Sequence, residues 1–445
     1  MVKACRRGAD LFSVRRRNRR NYLPCLLACA CAAALIAPAA SAKQNAAASW
    51  AQPQIKQVVA AGLMARSVAS FHANDPLTQA ELNELLVALP SDLVADPNTT
   101  EDPTTTDPTS TDPTSTVPTT TVPTTTVPTT TDPTTTDPTT TDPTHDPTLT
   151  VPTTTTPTTT GPTTTTPSGA PPGSPQPGAQ VTLAAFDTAL VNQLGLTGAA
   201  TRFLDAARLV GLTPPKRFGS ETVARLLGLR TNHPAVQDSL ELLPGDRITR
   251  AEAAYSVAQV LSLRGEEAQW VDDVSYELTL PTLTSWQKRV LNYAIGFVGY
   301  PYIWGGSSPG KQVVFGRKVP GGFDCSGFVW RVYKLRHYLG GGRLSGTIRG
   351  RTTFTMSVEV PASKRIAIDA LQPGDVIFFG AAGPRSKAWQ INHTAIYLGD
   401  NWFVQSSGNG VDVVPLEGWY QKRFAWARRP LAEAGLTNVY SVQPS

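Results

Sequence analysis

Cys325 and His393 could together act as a nucleophile and its base. The chain of 445 residues has five cysteines, at positions 5, 25, 29, 31 and 325, four of them in a short N-terminal stretch. Once that stretch is removed a single thiol remains, which can form neither an internal disulfide nor a cysteine-based zinc cage. Cys325 is then either a buried apolar residue or a reactive nucleophile. In Gly322-Phe323-Asp324-Cys325-Ser326-Gly327-Phe328, Asp324 is suited to cap a helix and to place Cys325 in its first turn. A helix N-terminus favours negative charge, so the thiol pKa is expected to fall there. Cys325, Phe328, Val332, Leu335 and Leu339 would share one face of that helix.

The base follows by elimination among His72, His145, His233, His337 and His393. His145 sits in a Thr/Pro-rich stretch, and His72 and His233 lie in helical segments upstream. His337 is expected on the helix of Cys325, roughly 18 Å along its axis. His393 opens Asn392-His393-Thr394-Ala395-Ile396-Tyr397-Leu398, an alternating strand, and Gly399-Asp400-Asn401 turns the chain into the returning strand Trp402-Phe403-Val404-Gln405. A three-residue turn sets Gln405 opposite Ala395 and diagonal to His393, on one face and roughly 7–8 Å away at the backbone. Gln405 could then hold the imidazole by its second nitrogen. The alternative is a structural His393 with a solvent-facing Gln405.

The elements that must position these residues follow the same logic. Residues 286–298 read as an amphipathic helix with Trp286, Val290, Tyr293 and Phe297 on one face. Gly299-Tyr300-Pro301 stops it, and Tyr302-Ile303-Trp304-Gly305-Gly306 leads into the loop before Cys325. Leu371-Gln372-Pro373-Gly374-Asp375-Val376-Ile377-Phe378-Phe379 reads as a turn and a buried strand.

These four stretches, in this order and spacing, resemble the NlpC-type cysteine peptidases, papain-like enzymes that cut the peptide stems of bacterial cell walls. The resemblance covers about a third of the chain. It implies an α+β fold, with helices packed on an antiparallel sheet. It implies Cys325 as nucleophile, His393 as base, Gln405 as the group that orients it, and Tyr302 near the thiolate. Asp324 and Ser326, on either side of Cys325, join Tyr302 on the expected substrate and oxyanion side. The backbone amide of Cys325 is a natural oxyanion donor. The family most often has His at the third position, where this chain has Gln. A long loop over residues 307–321 carries Lys311, Arg317 and Lys318 and could shape or cover the cleft. In a second long segment, residues 340–361, Arg349, Arg351 and Thr352 either meet stem carboxylates or are solvated. No metal or organic cofactor is implied.

Upstream, residues 102–167 repeat Asp/Val-Pro-Thr-Thr-Thr, a unit with almost nothing to bury and prolines that disfavour helix. Residues 96–180 are therefore expected to be an extended linker. On either side, residues 43–95 and 181–272 share a plan of short helix, Gly turn, loop, and Thr-x-Ala opening a helix. They resemble S-layer homology modules, whose signature includes Thr249-Arg250-Ala251-Glu252. The resemblance implies Thr249, Arg250 and Glu252 as candidate contacts to a secondary cell-wall polymer. The same residues, and Thr78 with Glu81, also read as capping boxes.

Charge excludes a nucleic-acid partner. The formal charge is +5, but residues 1–42 hold eight Lys/Arg and one Asp, leaving 31 basic against 33 acidic residues beyond them. That N-terminus has the order of an export signal: arginines at 15–20, an apolar run over 23–40 and Ala40-Ser41-Ala42 as a cleavage site. Arg19-Arg20-Asn21-Tyr22-Leu23 also suits twin-arginine export. Membrane attachment is expected only through an uncleaved signal. The expected organisation is a signal (1–42), helical module (43–95), linker (96–180), helical region (181–272), peptidase domain (273–431) and tail (432–445). The expected protein is a secreted or wall-associated hydrolase that cuts stem-peptide amides, the resemblance pointing to the D-γ-glutamyl–diamino acid bond. The alternatives are an N-acetylmuramoyl-L-alanine amidase and a silent wall-binding protein.

Overall fold

The computed structural model describes residues 49–89, 91, 176 and 178–437. The expected export signal, the repeats of residues 102–167 and residues 438–445 lie outside the described residues.

The helical part draws on both sides of the Thr/Pro-rich segment. Before it come α1 (Gln52–Ala60) and α2 (Gln79–Ala88); after it come α3 (Leu183–Gln193), α4 (Thr197–Leu209), α5 (Phe218–Leu226), α6 (Arg250–Val260) and α7 (Glu266–Glu277). α1 packs on α6, and Gln57 donates to the Ala258 carbonyl at 3.2 Å. Bridges between Pro76 and Thr249, Thr78 and Gln180, and Thr182 and Arg247 tie the two pieces edge to edge. Ile55, Val58, Leu82, Phe186 and Val257 are all buried in the shared core, so neither piece need hide its apolar face alone. The expected domain boundary after residue 272 falls inside α7.

Helix capping follows the sequence only in part. Thr78 and Glu81 make the reciprocal box. Thr249 accepts from the Glu252 amide at 3.2 Å, but the Glu252 carboxylate turns to His233 Nε2 at 2.7 Å instead of reaching back.

The C-terminal part is α+β. α8 (Ser285–Ile295) leads to the short strands β1 (Ser307–Ser308), β2 (Gln312–Val314), β3 (Arg317–Val319) and β4 (Gly322–Phe323), then to α9 (Cys325–Trp330). Two short helices follow, α10 (Leu344–Thr347) and α11 (Thr353–Val358). β5 (Val376–Gly380), β6 (Ile391–Gly399), β7 (Trp402–Ser407), β8 (Gly410–Pro415) and β9 (Phe424–Arg428) form one antiparallel sheet in the order β8-β7-β6-β5-β9. α12 (Gly418–Arg423) precedes β9, and α13 (Pro430–Glu433) follows it. α9 packs on β6 and β7. Phe328, Val329 and Val332 are fully buried under it, each worth about 1.5–3 kcal/mol of apolar burial.

The helix of Cys325 is shorter than its apolar spacing suggests. After Trp330 the chain widens into a π turn over Arg331–Leu335 and then leaves the helix. Leu335 and Leu339 are exposed, so the expected stripe ends at Val332, and His337 lies beyond the helix.

The helical part docks onto the sheet domain. Arg217 donates to the Gly296 and Val298 carbonyls at the end of α8, at 2.7 and 3.0 Å. Phe203 meets Trp402 edge to face, with ring centroids 5.7 Å apart. Arg225 of α5 reaches the Gly299 carbonyl at 2.7 Å and the Asn409 carbonyl just before β8.

Candidate active site

Asp324 caps α9 by accepting from the Gly327 amide. Cys325 follows as the first helical residue, where its own N–H has no partner within the helix. The turn is pinned from behind. Asp324 N–H donates to the Gly306 carbonyl at 3.1 Å, and the Gly305 amide donates to Asp324 Oδ2 at 2.9 Å. A Cβ on Gly327 would lie 1.9 Å from the Gly306 oxygen, so only glycine permits this approach of helix to loop.

Arg351, from the segment between α10 and α11, locks the same turn. It donates to Asp324 Oδ1 at 3.1 Å and Oδ2 at 3.2 Å, to Ser326 Oγ at 2.8 Å, and to the Gly305 and Gly306 carbonyls at 3.0 and 3.1 Å. This corrects two expectations. Arg351 is neither a solvated cation nor a free partner for stem carboxylates. The side chains of Asp324 and Ser326 are committed to this lock: both are buried, and Ser326 Oγ donates to Asp324 Oδ1 at 3.0 Å. They hold the turn that carries the thiol.

His393 and Gln405 meet across β6 and β7. The register pairs Ile396 with Val404 and Tyr397 with Phe403. His393 Nε2 lies 2.6 Å from Gln405 Oε1, which leaves Nδ1 for a proton exchange. Phe379 crowds the imidazole at 5.5 Å between centroids. The thiol sits beside the next residue, Thr394, whose backbone N–H favours the Cys325 thiolate. Thr353, at the start of α11, places its hydroxyl 3.6 Å from that sulfur. Tyr302 is also adjacent, its hydroxyl kept protonated by burial and by the neighbouring Cys325.

Burial overrides the helix terminus at Cys325. Desolvation, with the Asp324 carboxylate adding to it, pushes the thiol up to about 11 rather than down. Desolvation also brings the His393 imidazole down to about 4, against its hydrogen bond to the Gln405 oxygen. Near neutral pH the resting pair is therefore a thiol and a neutral imidazole. Alkylation of Cys325 by iodoacetamide is expected to rise about tenfold per pH unit between about pH 7 and pH 10. A plateau near neutrality would reveal a standing thiolate.

Behind Gln405 lies a set of groups that the motifs do not flag. Its amide donates to Tyr420 Oη at 2.7 Å, and Asp412 stands directly opposite it on β8. The one available signal was a carboxylate inside the apolar run Val411-Asp412-Val413-Val414, on the strand face shared with Val414.

The Thr249, Arg250 and Glu252 set is corrected as well. Arg250 is buried and bound to Glu81 and to the Met64 and Phe71 carbonyls. Glu252 is buried against His233, and Thr249 caps α6. Arg250 thus joins the two helical pieces, and the Glu252 carboxylate is engaged with His233. The long loop forms a β2–β3 hairpin whose Arg317 donates to the Ala235 carbonyl at 3.0 Å.

A cysteine at a capped helix start, packed on an antiparallel sheet that presents a histidine, defines a papain-like arrangement. Residues 299–429 match the model of the NlpC/P60 family, and this C-terminal part is an NlpC/P60 domain. A murein DD-endopeptidase of Escherichia coli is 31% identical over 145 residues, covering 32% of this chain and 45% of that protein. A gamma-D-glutamyl-L-lysine dipeptidyl-peptidase of Bacillus cereus is 29% identical over 233 residues, covering 45% of this chain and 59% of that protein. A crystal structure of an NlpC/P60 family protein from Bacillus cereus shares 27% identity over 35% of this chain and 43% of that one, with a TM-score of 0.25. The chain thus spans about half the length of the relatives it matches.

Proposed function

We propose that the protein is a cysteine endopeptidase that hydrolyses stem-peptide amides of peptidoglycan. The observation that carries this reading is the His393–Gln405 contact of 2.6 Å beside a thiol held at the first turn of a capped helix. As substrate binds, His393 Nδ1 takes the Cys325 proton while the sulfur attacks the amide carbonyl. The oxyanion is met by the Cys325 backbone N–H and the Tyr302 hydroxyl. The imidazolium then protonates the departing amine, leaving an acyl-enzyme. Water, deprotonated by the same imidazole, releases the acid and returns the thiol. Export by the N-terminal signal, to the wall or beyond it, belongs to the same reading and rests on the sequence alone.

The scissile bond is proposed to be the one between the D-glutamate γ-carboxyl and the diamino acid. The Bacillus cereus relative, a gamma-D-glutamyl-L-lysine dipeptidyl-peptidase, supports this, whereas the Escherichia coli relative carries the name of a DD-endopeptidase. Mass spectrometry of fragments released from purified peptidoglycan separates the possibilities. Fragments that begin at the diamino acid are expected. Cross-link cleavage alone would move the bond, stem-free glycan strands with whole stem peptides released from them would make it an amidase, and no fragment from any wall chemotype would remove the enzyme reading.

A further inference from the structure

We infer that Asp412, acting through Gln405, is a positioning residue that decides which nitrogen of His393 carries its proton. The inference rests on the reading of Cys325 and His393 as nucleophile and base. Gln405 and Asp412 are directly opposed on β7 and β8, 0% and 1% exposed. The carboxamide oxygen lies 2.6 Å from His393 Nε2. Its nitrogen donates to Tyr420 Oη at 2.7 Å, and the Asp412 carboxylate is its directly opposed neighbour on β8. One carboxylate oxygen, Asp412 Oδ1, has no hydrogen-bond partner.

A carboxamide has one accepting end and one donating end, and its partners decide which way it faces. The Tyr420 hydroxyl can donate or accept, so it tolerates either orientation. An ionised carboxylate only accepts, so it requires the Gln405 N–H. The oxygen must then face His393, whose Nε2 must carry the proton, and Nδ1 keeps the lone pair that takes the thiol proton. A protonated Asp412 donates instead. The carboxamide can then turn over, present N–H to Nε2 and leave the proton on Nδ1. In that tautomer His393 cannot deprotonate Cys325.

The surroundings place this switch in an accessible range. Burial pushes Asp412 up to about 7, opposed by the Arg225 guanidinium of α5 and by hydrogen bonds from Gln405 and Ser407. Arg225 is itself paired with Glu221 at 3.2 Å. Tyr420 of α12 is pushed up to about 12 by burial and by Asp412, so it does not titrate with it. His393 is held down near 4 and stays neutral while Asp412 changes charge. Arg225 belongs to the helical part, so that part helps set the ionisation of a group behind the base.

Two measurements on the full mature chain test this. In the first, kcat/KM on a stem-peptide substrate should fall about tenfold per pH unit below about pH 7. Asp412→Asn, which both donates and accepts, should flatten that limb and lower kcat at about pH 8 by roughly tenfold. The same substitution should have a much smaller effect in a Gln405→His background, where no carboxamide is left to turn. An unchanged acid limb in Asp412→Asn, or an equal loss at every pH in both backgrounds, overturns the inference. The second needs no substrate and is read on the unsubstituted protein. Nitrogen-15 spectra of the five histidines, with His393 assigned by His393→Gln, should show neutral His393 with its proton on Nε2 at about pH 8. The Nδ1–H form should grow as the pH falls to about 6. A tautomer that does not change over that range overturns the inference even if the protein cuts peptidoglycan. A change of tautomer upholds it even if the cleavage reading fails.

Discussion

Cys325→Ala is expected to release no cut stem peptide above background, a loss of at least about 10⁴-fold in kcat, with its fold and its binding of peptidoglycan unchanged. The size of the loss follows from what surrounds the sulfur. Thr353, the first residue of α11, places a hydroxyl 3.6 Å from Sγ, but an alcohol is a far weaker nucleophile than a thiol and this one is attached to a different element. The Ser326 hydroxyl is turned away, donating to Asp324 and accepting from Arg351. Without the thiol no group is placed to attack. The imidazole is set for one task only, because Nε2 is committed to Gln405 and Nδ1 alone is left to exchange protons. His393→Ala should therefore cost about as much as Cys325→Ala, and the double variant little more than either. Additive losses would show that the two residues do not share a step. Purified peptidoglycan, with release followed by mass spectrometry, supplies the measurement, and thermal melts establish that both variants fold.

The sequence carried these residues well where chemistry coincides with local structure. Asp324 as cap and Cys325 at the first helical position could be read from six neighbouring residues, because capping is decided within one turn. The hairpin that brings Gln405 to His393 could be read from strand alternation and a three-residue turn. What long-range packing decides was not legible. The thiol was expected to ionise easily, yet its neighbours bury it and push it up to about 11. Nothing local to Arg351 shows that it crosses to Asp324, and nothing local to Arg250 shows that it closes the helical part against Glu81. Arginine on a surface loop and arginine in a buried clamp have the same local sequence signature. Asp412 was hidden for the same reason: its partner is the residue opposite on another strand, beyond the reach of motif spacing.

The segment over residues 340–361 reaches the thiol with only the short helices α10 and α11 for internal structure, so its position depends on what ties it down. Arg428, at the end of β9, is that tie. It donates to Glu359 Oε2 at 2.8 Å, to the Thr347 carbonyl at 2.6 Å and to Glu433 at 2.5 and 3.1 Å, while only 4% exposed. Glu359 in turn accepts from the backbone amides of Arg349 and Gly350. The next residue is Arg351, which holds Asp324, and Thr353 touches the sulfur. Arg428→Met keeps most of the volume but strands two carboxylates, one of them largely buried, and a carbonyl. Removing one partner of such a buried set costs about 3–5 kcal/mol, which lowers the melting temperature by on the order of 10 °C in a domain of this size. Activity should fall at temperatures where the protein is still folded, because the turn loses Arg351 before the sheet opens. Glu359→Gln should cost less, and the double variant less than the two losses added, since both remove one network. Calorimetry with kcat measured well below the transition separates the two effects. A change below about 1 kcal/mol would mean that the buried Met356 and Val360 side chains hold the segment by apolar packing and that the charges contribute little.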